Sequence, residues 1–214
     1  MKVIDYNKSV SFDIDAQNGF TDNCPLELPV HNGDLIVDEC NLNATKAQFR
    51  YMSKDAHPSN GLWTASDIQP QFSSAGLEDV KNVDIRWNQH CVVGTAGFNL
   101  LKGLPHPSEY DYIVYKGAER DMHPYSPIYH DLDKKISTGV IEKAKYDGVD
   151  TFLLGGLAMN YCLGEGAKDL FKKGFRVIVN LGATEAIGEA SEYIANLRKL
   201  GIEFIHSANE IESK

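Results

Sequence analysis

The chain has 214 residues and a formal net charge of −9 at pH 7, enough length to bury a proper core and too acidic a balance to favour a nucleic-acid or anionic-membrane partner. No apolar run approaches the roughly 18 residues that a membrane span needs, and the opening Met1-Lys2-Val3-Ile4-Asp5 lacks the apolar core of an export signal. The four cysteines, Cys24, Cys40, Cys91 and Cys162, form no Cys-x-x-Cys pair, so they are expected to be reduced thiols in a cytoplasmic protein.

Strand and helix patterns alternate from there. Val10 to Asp15 alternates apolar and polar side chains, which predicts a first strand. Asp34 to about Gln48 places Leu35, Ile36, Cys40 and Ala44 near helical spacing, with Asp34 as the expected N-cap. Phe49 to Ser53 is a weaker second strand and Tyr112 to Tyr115 a third. Thr138 to Tyr146 reads as a helix ended by Gly148. Val149 to Leu154 is a fourth strand, and a helix running from Cys162 to Lys173 stops at Gly174. Phe175 to Val179 is a fifth strand, Glu189 to Leu200 a helix ended by Gly201, and Ile202 to Ile205 a sixth strand. This alternation predicts a doubly wound α/β fold, a mostly parallel six-stranded sheet with helices on both faces. Residues 1–214 are read as one domain with a long loop insertion at about 58–86, where periodicity fails. Loops of that length usually build a binding site or a lid.

Open parallel sheets bind ligands beyond the carboxyl ends of their strands. The residues at the end of each predicted strand are therefore candidates for a site. Asp15 comes after the first strand, Asp55 and His57 after the second, Lys116 after the third and Cys162 after the fourth. Singly, each has an ordinary explanation. Asp15 suits a turn with Asn18 and Gly19; Lys116 suits an exposed lysine; Cys162 suits a small buried hydrophobe. Asp55-Ala56-His57 suits a solvated turn before Pro58, although an extended Asp-x-His also points both side chains to one face, as a metal requires. His90 suits a core histidine, and Phe20 and Trp87 suit core aromatics. Cys91 is a rival nucleophile, but no helix start stands behind it. Cys162 sits where a strand turns into a helix, and the positive end of that helix favours thiolate. Jointly the four strand ends deliver a carboxylate, a metal-type pair, a lysine and a thiol to one edge.

Five segments, in order, resemble the isochorismatase-like hydrolases and, within them, the nicotinamidases. They are Asp15-Ala16-Gln17-Asn18-Gly19-Phe20, Ser53-Lys54-Asp55-Ala56-His57-Pro58, Trp87-Asn88-Gln89-His90-Cys91-Val92, Lys116-Gly117 with Tyr125-Ser126, and Gly156-Leu157-Ala158-Met159-Asn160-Tyr161-Cys162-Leu163. Gly19 stands where that family has an acidic residue and Asn88 where it has a proline. The resemblance implies hydrolysis of a small-molecule amide, nicotinamide, through a thioester, by a triad of Asp15, Lys116 and Cys162. It implies an oxyanion hole from the N–H groups of Ala158 and Cys162, with a cis peptide between Leu157 and Ala158. It also implies one divalent ion on Asp55, His57 and His90, with zinc ahead of iron or manganese, and a substrate ring held between Phe20 and Trp87. A further ligand from the stretch between His57 and Trp87 is known in some members, and none can be assigned to it here. A homo-oligomer is compatible with the sequence. The competing readings are a cousin acting on isochorismate, an N-carbamoyl amide or a ureido amide, and a non-catalytic interaction module.

Overall fold

The computed structural model describes residues 1–75 and 82–214. Six strands form one parallel sheet in the order β4-β3-β2-β5-β6-β7. They are β2 (Ser9–Ile14), β3 (Phe49–Asp55), β4 (Tyr112–Lys116), β5 (Thr151–Leu157), β6 (Arg176–Glu185) and β7 (Glu203–Ile205). Helices α1 (Val37–Ala44), α2 (Val140–Tyr146), α3 (Cys162–Lys172) and α4 (Ser191–Leu200) connect and cover them. The fold is doubly wound α/β. A further pair that the sequence patterns did not suggest, β1 (Lys2–Ile4) and β8 (Ile211–Ser213), forms a small parallel sheet of its own. No helix among the described residues is long and apolar enough to cross a membrane.

The chain first builds outward from β2 to β4, then returns to place β5 on the other side of β2 and builds outward again. The switch point therefore lies between β2 and β5, and ligands bind outside the carboxyl ends of strands at such a point. Asp15 leaves β2 there, and the segment leading to Cys162 leaves β5 there. The two strands are in register at Asp13 with Gly155 and at Ile14 with Gly156. A side chain at Gly156 would overlap the carbonyl oxygen of Ile14, so only a residue without a Cβ lets the strands come this close.

The alternation of β2 separates two buried faces rather than core from solvent. Val10, Phe12 and Ile14 join Val140 and Ala144 of α2 and Leu163, Ala167 and Leu170 of α3 in the larger core. Ser9, Ser11 and Asp13 are equally buried. Asp13 is reconciled with its position because Arg50 Nε and Tyr110 Oη both donate to it, at 2.9 Å each. On the other side Ile36 and Cys40 pack with Leu157 and Ala183 in a second core.

Asp34 is not the N-cap expected. Asn32 takes a left-handed conformation and Gly33–Ile36 forms a 3-10 turn, so α1 begins only at Val37. The long connection between β3 and β4 contains scattered single bridges, such as Thr64 with Trp87 and Ser74 with Ile85. Its organiser is Arg86. The buried guanidinium donates to the carbonyls of Leu62 at 3.0 Å, Thr64 at 3.3 Å and Ala75 at 3.4 Å. Residues 76–81 of the expected insertion lie outside the described residues.

Candidate active site

Asp15 is set by its neighbours on both sides. Its backbone turns off β2 with φ of 48°, a left-handed conformation that Asp tolerates better than most residues. Ser53 Oγ of β3 donates to its Oδ1 at 2.7 Å. Gln17, two residues on, clamps the end of β3: its Nε2 donates to Asp55 O at 2.9 Å and its Oε1 accepts from Asp55 N–H at 2.7 Å. On the far side Asn160 does the same for the segment before α3. Its Nδ2 donates to Ile187 O at 2.8 Å and its Oδ1 accepts from Ile187 N–H at 3.0 Å. Between these clamps Leu157-Ala158 is a cis peptide, and Cys162 is the first residue of α3. The N–H groups of a first helical turn have no intrahelical acceptors, so they face whatever lies beyond.

Lys116, at the end of β4, is the hub. Its ammonium makes an ion pair with Asp55 Oδ1 and another with Asp15 Oδ2 at 3.0 Å, and donates to Pro124 O at 3.3 Å. It also lies 3.5 Å from Cys162 Sγ. All four side chains are buried. Burial opposes the charge on Lys116, but the two carboxylates outweigh it and hold its pKa well above the ordinary lysine value. Asp15 behaves differently from Asp55. Burial, only partly offset by Lys116, raises its pKa to about 6. At Asp55 burial is overcome by Lys116 and His57, which hold its carboxyl well below the usual range. The thiol of Cys162 does not follow the helix-terminus expectation. Burial pushes it up, Lys116 pulls it down, and Asp15 and Asp55 push it up again, so it keeps its proton well past neutral pH.

Beside this hub three imidazoles converge. His57 Nδ1 donates to Gly117 O over 2.9 Å, and its Nε2 is buried without a hydrogen-bond partner among the described residues, 3.5 Å from Asp55 Oδ2. Gly117 is obligatory there, because its φ is 68° and a Cβ would fall on the His57 ring. His90 is oriented in the same way. Its Nδ1 meets Asn88 O at 2.6 Å and its Nε2 lies 3.8 Å from Asp55 Oδ2. A backbone carbonyl on the far nitrogen is how proteins aim a ligating histidine. The loops bearing the two residues are stitched together at His57 and Val92. The third imidazole is His123, whose donor atoms lie within 4.8 Å of those of His57 and His90.

Gly19 leaves room for Glu27, whose carboxylate accepts the Cys91 N–H at 2.8 Å next to His90. Phe20, Trp87, His90, His123, Tyr161 and Cys162 all line one narrow cavity over the hub. Tyr125 and Tyr161 also border a wider outer cleft of about 440 Å³, so they stand between the cavity and solvent. Tyr125 Oη donates to Asp84 at 2.6 Å.

No family model matches the chain. Curated and solved relatives do. A nicotinamidase from Acinetobacter baylyi is 29% identical over 199 residues, which is 92% of this chain and 91% of that protein. The solved nicotinamidase/pyrazinamidase of Acinetobacter baumanii is 25% identical, with a TM-score of 0.85 over 95% of this chain and 98% of its own. The chain is similar to nicotinamidases over nearly its whole length. A third relative, the pyrazinamidase of Pyrococcus horikoshii solved in complex with zinc, shares the fold at a TM-score of 0.71 and 23% identity, over 92% of this chain and 98% of its own.

The fold gathers the candidate site residues named from the sequence. Asp15, Lys116 and Cys162 meet at the hub, Asp55, His57 and His90 beside it, and Ala158, Phe20 and Trp87 at the cavity wall. His123 escaped the sequence reading, and Tyr125 and Tyr161, though they lie in the matched segments, were given no role. His123 carries the same signal as His57, a His-Pro step in a loop after a strand that ends in a charged residue.

The hub also bears on stability. Replacing Lys116 by methionine leaves Asp15 and Asp55 buried without a counter-charge, and breaking a buried pair costs about 3–5 kcal/mol. Urea unfolding at pH 8 is expected to show a loss of that size. The loss shrinks toward pH 5, because orphaned carboxyls have raised pKa values and their penalty vanishes once they are protonated. An unchanged urea midpoint at pH 8 would show that the carboxylates do not depend on this lysine.

Proposed function

We propose that the protein hydrolyses nicotinamide to nicotinate and ammonia, with Cys162 as nucleophile, Asp15 as proton carrier and one divalent ion on Asp55, His57 and His90. The observation that carries this reading is the position of Lys116 Nζ, 3.0 Å from Asp15 and 3.5 Å from Cys162, under a cavity shared with the imidazole cluster. The donors suit the ion: a depressed carboxyl and a buried, partnerless Nε2 on His57. Mixed nitrogen and oxygen ligands accept zinc, iron or manganese, and the zinc complex of the Pyrococcus relative favours zinc. When bound, the ion offers a Lewis-acid anchor for the ring nitrogen of a pyridine carboxamide.

The steps follow from the residues. Asp15 accepts the thiol proton as Sγ of Cys162 attacks the amide carbon, and Lys116 compensates the negative charge that appears on sulfur. The N–H groups of Ala158 and Cys162 receive the oxyanion. Asp15 returns its proton to the departing nitrogen, which leaves as ammonia and a Cys162 thioester. Water, deprotonated by Asp15, then cleaves the thioester to the acid and regenerates the thiol. Ammonia release from nicotinamide, and its absence from isochorismate and N-carbamoyl substrates, tests the assignment.

A proton carrier with a pKa of about 6 sets the acid side of the profile. Only ionised Asp15 can take the thiol proton, so kcat/KM is expected to be flat above that value and to fall about tenfold per pH unit below it. A profile flat down to pH 4 would exclude Asp15 from the role.

A further inference from the structure

We infer that His123 is a further protein ligand of the divalent ion, giving with Asp55, His57 and His90 a set of three imidazoles and one carboxylate. The inference rests on the proposed metal site and enlarges it.

His123 is buried at 3% exposure, and among the described residues neither of its ring nitrogens has a hydrogen-bond partner. A histidine buried for packing would normally satisfy at least one of them. Around it stand His57, His90, Trp63, Trp87 and Tyr125, with ring centroids between 4.7 and 5.7 Å away. None of these donates to it, and two are the imidazoles whose Nε2 atoms face Asp55. The donor atoms of the three histidines lie within 4.8 Å of one another.

The ring is placed to complete the set. It lies nearly parallel to His57, with centroids 5.0 Å apart and planes 13° apart. Among the described residues no hydrogen bond holds either ring nitrogen, so none has to be broken for one of them to ligate the ion. The backbone, by contrast, is fixed. The N–H of His123 donates to Asn82 O at 2.8 Å, and the carbonyl of Pro124 accepts from Lys116 at 3.3 Å.

The test uses the full chain loaded with zinc. X-ray absorption at the zinc edge is expected to show scattering from three imidazoles, where a site of Asp55, His57 and His90 gives two. In competition with a chromophoric chelator, His123→Ala is expected to weaken zinc binding at least about tenfold, because even the outer partners of ligands are worth 10–100-fold. Two imidazoles in the unaltered protein would overturn the inference. So would unchanged zinc affinity in a folded His123→Ala variant while His57→Ala binds poorly; either result leaves the metal site standing without His123. Failure of the unaltered protein to bind zinc, iron or manganese would defeat the site itself and this inference with it. The absorption measurement needs no variant, so it decides the matter even if His123→Ala does not fold.

Discussion

Cys162→Ala is expected to lower nicotinamide turnover by about 10⁴–10⁶-fold, the scale on which removal of a covalent nucleophile is felt. The fold should survive, because the change removes one sulfur from a residue already packed in the main core. The matching control is Cys91→Ala. Cys91 is also buried, and burial raises its thiol as well, so protonation state does not tell the two apart. Geometry does. Cys162 lines the cavity and has the Lys116 ammonium 3.5 Å from its sulfur, whereas Cys91 Sγ faces Gly19. Cys91→Ala should therefore keep most of its turnover. An inactive Cys91→Ala beside an active Cys162→Ala would reverse the assignment. Iodoacetamide labelling followed by peptide mapping gives a second reading, with nicotinamide expected to protect Cys162.

The second large effect is substrate choice. Benzamide has the shape and scissile group of nicotinamide without the ring nitrogen. Phe20 and Trp87 would stack on either ring, so the aromatic wall cannot separate them. The polar cluster of Asp55, His57 and His90 can, provided an ion held there contacts the nitrogen. Sites built to contact a polar atom reject the analogue lacking it by about 10⁴-fold or more, and by about 10²-fold where water can take its place. Benzamide is accordingly expected to fall at least about 10²-fold below nicotinamide in kcat/KM, with pyrazinamide close to nicotinamide. Equal values would remove the templating role of the cluster and leave the Cys162 chemistry intact.

Most of the architecture was legible because its strands are short apolar runs and its helices end at Gly148, Gly174 and Gly201. All three glycines show the reason directly: Gly148, Gly174 and Gly201 have φ of 73°, 90° and 106° after the last turns of α2, α3 and α4. The misreadings have physical causes. At Asp34 the apolar pattern begins in a 3-10 turn, which buries Ile36 but leaves Leu35 exposed. β1 and β8 are three residues each and pair across nearly the whole chain, so no local pattern announces them. In the site, residues at strand ends were readable because a parallel sheet gathers them in one place. His123 was not, because it reaches the cluster from a loop tied down by single hydrogen bonds to Asn82 and Lys116, contacts that exist only after folding. The protonated state of Cys162 was also hidden. A helix start and a lysine both argue for thiolate, but the depth of burial and the second carboxylate are properties of the assembled hub.

The close approach of β2 and β5 has a consequence for how natural variation in this chain is read. Gly156 takes no part in the reaction, yet it is the contact that sets how near Ile14, and so Asp15, stands to the strand leading to Cys162. Any side chain there acts as a wedge between the two central strands and parts Asp15 from Cys162, the proposed base and nucleophile, while both remain in the sequence. A motif search that asks only for Asp15, Lys116 and Cys162 would score such an allele as intact. Inactive alleles of this chain have to be sought where the backbone has no room, as well as among the side chains that do chemistry.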